Sequence, residues 1–123
     1  MLNSWGTYPW FIAHGEEKIH IEDLERFKKE AHNCKVFKCI GKDTNYIILE
    51  YGVSRYRVKS DLFKIVPNPK FCNGQKVIIK DKNIEVIISD IMWHYDKKEH
   101  YYFIFDGHKK KSKRYFEAEI TIA

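Results

Sequence analysis

A chain of 123 residues makes one compact domain or two very small ones. With 44% hydrophobic and 15% aromatic residues it is too apolar to be disordered, and eight Tyr and eight Phe favour strands. The net charge of +5 is spread evenly, with eleven Lys or Arg against nine Asp or Glu in residues 1–69 and eleven against eight in residues 70–123, which excludes a dedicated polycationic half.

The opening segment SWGTYPWFIAHG, residues 4–15, sets Trp5, Tyr8, Trp10 and Phe11 around a Gly and a Pro and is too apolar for a free tail. Two readings stay open. Either it straps across a barrel and completes its core, or it exposes Trp5, Tyr8 and Trp10 as an aromatic patch for a partner. The segment lacks the pattern of a signal peptide, and no apolar run approaches the ~20 residues that span a bilayer. Cys34, Cys39 and Cys72 form no C-x-x-C motif and are odd in number, which points to reduced thiols. A soluble, cytoplasmic protein with no membrane partner is therefore expected.

Residues 19–32, IHIEDLERFKKEAH, predict one helix. Ile21, Leu24, Phe27 and Ala31 share a face, Glu22, Asp23 and Glu25 sit early, and Lys28 and Lys29 sit late, which suits the helix dipole. Its charged side is expected to be solvated. Short strands follow at residues 35–41, 46–52 and 54–59, then a helical turn at 60–63 and an edge strand at 64–67. Residues 68–74, NPKFCNG, read as a linker, and strands resume at 75–80, 84–95, 100–107 and 113–116.

The two strand-rich stretches repeat each other. KDTNYIILEYG, Lys42–Gly52, aligns without gaps to KKEHYYFIFDG, Lys97–Gly107, and Asp61-Leu62 matches Glu119-Ile120 farther on. The second stretch resembles a small SH3-like barrel of the Tudor/KOW type, with Gly74 and Val77 at the entry and Glu119-Ile120 at the exit. The Gly that opens the second strand of that family is missing, and Asn83-Ile84-Glu85 occupy the turn. The whole chain also resembles small bacterial proteins of unknown function that begin with W-G-x-Y-P-W. The expected fold is mainly β: a strap and helix over residues 1–33, one SH3-like unit over 34–68 and another over 71–123, packed as one body.

With residues 96–99 as a hairpin loop, Tyr95 faces His100, Trp93 faces Tyr102 and Ile91 faces Ile104. Alternation then puts Ile91, Trp93, Tyr102 and Ile104 on a core face, and Met92, His94, Tyr101, Phe103 and Phe105 on the other. No phosphate-loop, dinucleotide or serine-hydrolase motif occurs, and neither the histidines nor the cysteines have the spacing of a metal site or mark a nucleophile. No catalysis, metal or cofactor is expected. The remaining signal is basic: Lys109, Lys110, Lys111, Lys113 and Arg114 crowd at one hairpin tip, with His94 and Tyr101 on neighbouring strands. Cations beside aromatic rings suit RNA or another nucleic acid, and the alternative is a protein-interaction module using Trp5, Tyr8 and Trp10.

Overall fold

The computed structural model describes residues 1–123, which divide into two compact units, Met1–Asn68 and Pro69–Ala123. Each unit is built on one antiparallel sheet, so the chain is mainly β. No helix is long and apolar enough to cross a membrane.

In the first unit, β1 is Trp5–Thr7, β2 Phe37–Lys42, β3 Ile47–Tyr51, β4 Ser54–Val58 and β5 Lys64–Val66, in the order β4-β3-β2-β1-β5. The aromatic segment is thus an inner strand, with Trp5 opposite Lys38 on one side and Val66 on the other. Residues 1–33 are not a separate element: without β1, β2 and β5 would have no partner between them. The core follows period-two alternation, with Ile47, Leu49, Tyr51, Tyr56 and Val58 all buried. Phe27 stands among rings, its centroid 4.7 Å from His32, 5.2 Å from Tyr56 and 5.8 Å from Tyr8.

The helix, α1, covers only Leu24–Lys29, shorter than the sequence pattern predicts. Ile19 instead bridges Val58 in β4, the His20 N–H donates to the Arg57 carbonyl at 2.9 Å, and residues 21–23 form a turn closed by the Asp23 N–H on the His20 carbonyl at 2.9 Å. Leu24 and Phe27 are buried as expected, but Ile21 is 78% exposed and Ala31 lies outside the helix on the surface. Pairing with β4 overrides the helical stripe: the bridge buries Ile19, and the turn that follows carries Ile21 to the surface.

In the second unit, β6 is Lys76–Ile79, β7 Ile84–His94, β8 Glu99–Asp106, β9 Lys109–Lys110, β10 Tyr115–Phe116 and β11 Ile120–Ile122. The order is β10-β8-β7-β6-β11, with β9 also on β8. The turn into β7 closes with the Asn83 N–H donating to the Ile79 carbonyl at 2.7 Å, and Asn83 takes φ 52°, a left-handed conformation that Asn tolerates in place of Gly. A buried tyrosine ties the ends of the unit together. The Tyr102 hydroxyl donates to Glu117 at 2.6 Å and accepts the Lys70 N–H at 3.2 Å.

The β7–β8 hairpin turns over residues 95–98, one residue earlier than predicted, so Trp93 faces His100 and Ile91 faces Tyr102. Lys98, at φ 54°, closes the turn by donating its N–H to the His94 carbonyl. The slip is even, so each side chain keeps its predicted face. Ile91, Trp93, Tyr102 and Ile104 are all buried.

The two sheets share their strand order and one irregularity. In β2 the pairing with β3 shifts between Cys39, opposite Leu49, and Gly41. In β7 the pairing with β8 shifts between Ile88, opposite Ile104, and Asp90. Leu49 and Ile104 hold the same place in the gapless alignment of Lys42–Gly52 with Lys97–Gly107. The later match is displaced by one residue. Val58 lies opposite Ile47 and Tyr115 opposite Tyr102, which sets Leu62, not Asp61, level with Glu119.

Candidate binding face

Alternation along β8 and β10 turns Tyr101, Phe103 and Phe116, with Arg114 just before β10, to the side opposite Tyr102 and Tyr115, and Tyr101 is itself 5% exposed among its neighbours. Phe116 lies opposite Tyr101 in the ladder, and their ring centroids are 5.9 Å apart. The His94 ring, from the end of β7, sits 5.9 Å from Phe116 and 6.1 Å from Tyr101. His94 is oriented by its own turn, its Nδ1 accepting the Lys97 N–H at 3.1 Å. Two cations cap the rings: the Arg114 guanidinium carbon is 4.9 Å from the Tyr101 centroid and the Lys97 Nζ is 4.5 Å from that of Phe116.

The basic residues are not gathered at one tip. Gly107, at φ 64°, and His108 form a two-residue turn, after which Lys109 and Lys110 run back along β8 opposite Asp106 and Phe105. Lys110 is drawn to the buried Asp90, Nζ to Oδ2 at 2.7 Å, so its charge is already matched. Lys111 is half-buried and its N–H donates to the Ile104 carbonyl. Lys113 covers the Tyr115 ring at 4.9 Å. Of the residues predicted for a site, His94, Tyr101 and Arg114 come together, Lys113 lies over the neighbouring Tyr115, Lys109 stands apart opposite Asp106 at the other end of β8, and Lys110 and Lys111 serve the fold. Sequence reading missed Lys97 and Phe116. The parity of Lys113–Phe116 carried the signal for Phe116, because Arg114 and Phe116 are two residues apart on one strand.

The other predicted patch is not a surface. Tyr8 is 0% and Trp10 2% exposed, and the polar atom of each is satisfied inside the unit, the Tyr8 hydroxyl by the Lys59 carbonyl at 2.7 Å and the Trp10 indole by the Gly15 carbonyl at 2.9 Å. Only Trp5 is partly open, with the Lys38 ammonium 5.6 Å from its ring. The segment contributes Tyr8 and Trp10 to the core of the first unit, and this burial corrects the exposed-patch reading for Tyr8 and Trp10.

A model of the DUF6960 family, a family of unknown function, matches residues 1–121 and so takes in both units. The chain belongs to DUF6960. No curated protein and no solved structure matches it.

Elsewhere in this DUF6960 chain a buried carboxylate is structural. Asp23, 5% exposed, accepts the Arg57 backbone N–H at 2.8 Å, the Arg57 Nε at 2.9 Å and an Arg26 nitrogen at 3.0 Å. Burial by itself would raise its pKa, but the hydrogen bonds from Arg57 and Arg26 outweigh it and hold the carboxyl at about 2. The expected solvated side of α1 is thus pinned at Asp23, the residue just before the helix. Burial, then the hydrogen bond to Glu30, pushes the Tyr56 hydroxyl up to about 12. No three His, Cys, Asp or Glu side chains gather as metal ligands, and Cys34, Cys39 and Cys72 are free thiols.

Proposed function

We propose that this chain is a non-catalytic binding module of two SH3-like units of the Tudor/KOW type, and that the second unit holds single-stranded RNA or a chemically similar strand. The observation that carries the reading is the pairing of Arg114 with Tyr101 and of Lys97 with Phe116 on one face. Phe116 and His94, both partly exposed beside the buried Tyr101, give bases a surface to stack on, and the exposed Arg114 and Lys97 next to them neutralise phosphates. The shared strand order and shared bulge of the two sheets support a duplicated unit. Free thiols without a C-x-x-C motif support a reducing compartment such as the cytoplasm.

Fluorescence anisotropy with a labelled oligouridylate tests this. Arg114→Gln is expected to weaken binding and lower the salt slope by about one, while Lys110→Gln, whose ammonium faces Asp90, changes binding less. Unchanged affinity in both Arg114→Gln and Phe116→Leu would remove the face as the contact. A protein-interaction role keeps one supporting observation: Phe11 and Ile12 are 56% and 61% exposed just after the buried Trp10. A partner captured with the intact chain that survives nuclease treatment, and is lost in a Phe11→Ser, Ile12→Ser variant, would favour that role.

A further inference from the structure

We infer that the first unit carries a second stacking site for the same strand, built around Tyr46; this rests on the reading of the second unit as a nucleic-acid binder. Tyr46 holds the place of Tyr101 in the gapless alignment of Lys42–Gly52 with Lys97–Gly107. The strand pairing extends the match. Val58 lies opposite Ile47 and Tyr115 opposite Tyr102, so Lys59 stands where Phe116 stands and Arg57 where Arg114 stands.

The chemistry at the two places is alike. The His20 ring centroid is 5.1 Å from that of Tyr46, and the Lys59 Nζ is 4.6 Å from it. In the second unit the same tyrosine position meets His94 and Arg114. The two imidazoles come from unrelated elements, His20 from the segment before α1 and His94 from the end of β7. A tyrosine flanked by an imidazole and a cation is therefore assembled twice, by different routes, within β8 in the second unit and at the matching position just before β3 in the first.

The sites differ in charge. Arg57 is committed to Asp23, 2.9 Å away, and lies 3.5 Å from Glu22, so it is not offered to a phosphate as Arg114 is. Beside Tyr46 and Lys59 lies a recess of about 380 Å³, walled by Ile19, Ile21 and Leu24, with Glu16 and Glu17 also lining it. Apolar walls and a half-buried ring fit the flat face of a base, and the two glutamates disfavour a phosphate. The first unit thus adds stacking to a strand that the second unit holds partly by charge.

Anisotropy of the full chain with oligouridylates of about 5 and about 20 nucleotides separates the possibilities, the lengths bracketing the reach of one small site. Tyr46→Ala is expected to leave the short strand unaffected and to weaken the long one about fivefold or more, with the salt slope unchanged. Tyr46→Phe should restore it, and Phe116→Leu should weaken both lengths. Wild-type binding of the long strand by a folded Tyr46→Ala, with Phe116→Leu weakened, would overturn the second site and leave the first reading standing. No binding by the wild type at either length would overturn both. Photocrosslinking of the wild type to a 5-iodouridine strand needs no variant. Adducts on the peptide holding Tyr46 as well as that holding Tyr101 are expected, and adducts confined to the second unit would overturn the inference.

Discussion

Asp23 shows how much one side chain decides in the first unit. It receives the guanidinium and backbone N–H of Arg57, 34 residues away, and Arg26 from the next turn of chain. The carboxyl is held at about 2 against an ordinary 3.8, and at ~1.4 kcal/mol per unit this is roughly 2 kcal/mol of stability. Because the folded value is depressed, that contribution is full above the unfolded value and is lost as pH falls from about 4 to about 2. Asp23→Asn is expected to lower the urea midpoint at neutral pH, and its deficit against the wild type should shrink on acidification through that window. Parallel denaturation curves at both pH values for the two proteins check this; an undiminished deficit in acid would show that the charge is not what matters. Nothing local in EDLERF announces the role, since the same acid at the start of a short helix suits the dipole just as well.

At the scale of the element, the glycine of W-G-x-Y-P-W explains why that segment can be a strand at all. A Cβ on Gly6 would lie 2.4 Å from the Lys64 carbonyl oxygen and 2.7 Å from the Phe63 ring, so only glycine lets β1 approach β5. Gly6→Ala is expected to cost about 2 kcal/mol or more by forcing those strands apart. Gly52, at φ 59° in the β3–β4 turn, has open space around it, and Gly52→Ala should cost only the ~1–2 kcal/mol of a left-handed alanine. Thermal melting of the two variants checks the ranking, and equal losses would contradict the steric account. Elements were legible where alternation is strong, as in β3, β7 and β8. The strands β1, β9 and β11 were not read as strands, because two or three residues carry no periodicity and their pairing comes from distant neighbours. The even slip of the β7–β8 turn had no local signal either, since Lys98 rather than a glycine supplies its left-handed residue.

For the whole molecule, charge is divided by structure more than by sequence. The two halves of the chain differ by one unit of net charge, yet the first unit commits Arg57, Lys18 and Lys35 to acids while Lys97, Lys109, Lys113 and Arg114 of the second make no ion pair. If those four neutralise phosphates of a single strand, each releases ~0.7 of a counterion, and the logarithm of affinity should fall against that of salt with a slope of about −3. A slope near zero in an anisotropy titration would exclude phosphate contact by this group. By itself the sequence determined the mainly β class and the face on which the side chains of Ile91–His94 and of residues 101–105 lie, because pleat alternation is a local property of the backbone. Only the tertiary structure decided that the aromatic opening is an inner strand, that Asp23 is buried against Arg57, and that Phe116 and Lys97 join His94, Tyr101 and Arg114. Those outcomes depend on which distant strands pair, and pairing is set by the burial of side chains that local sequence leaves unpartnered.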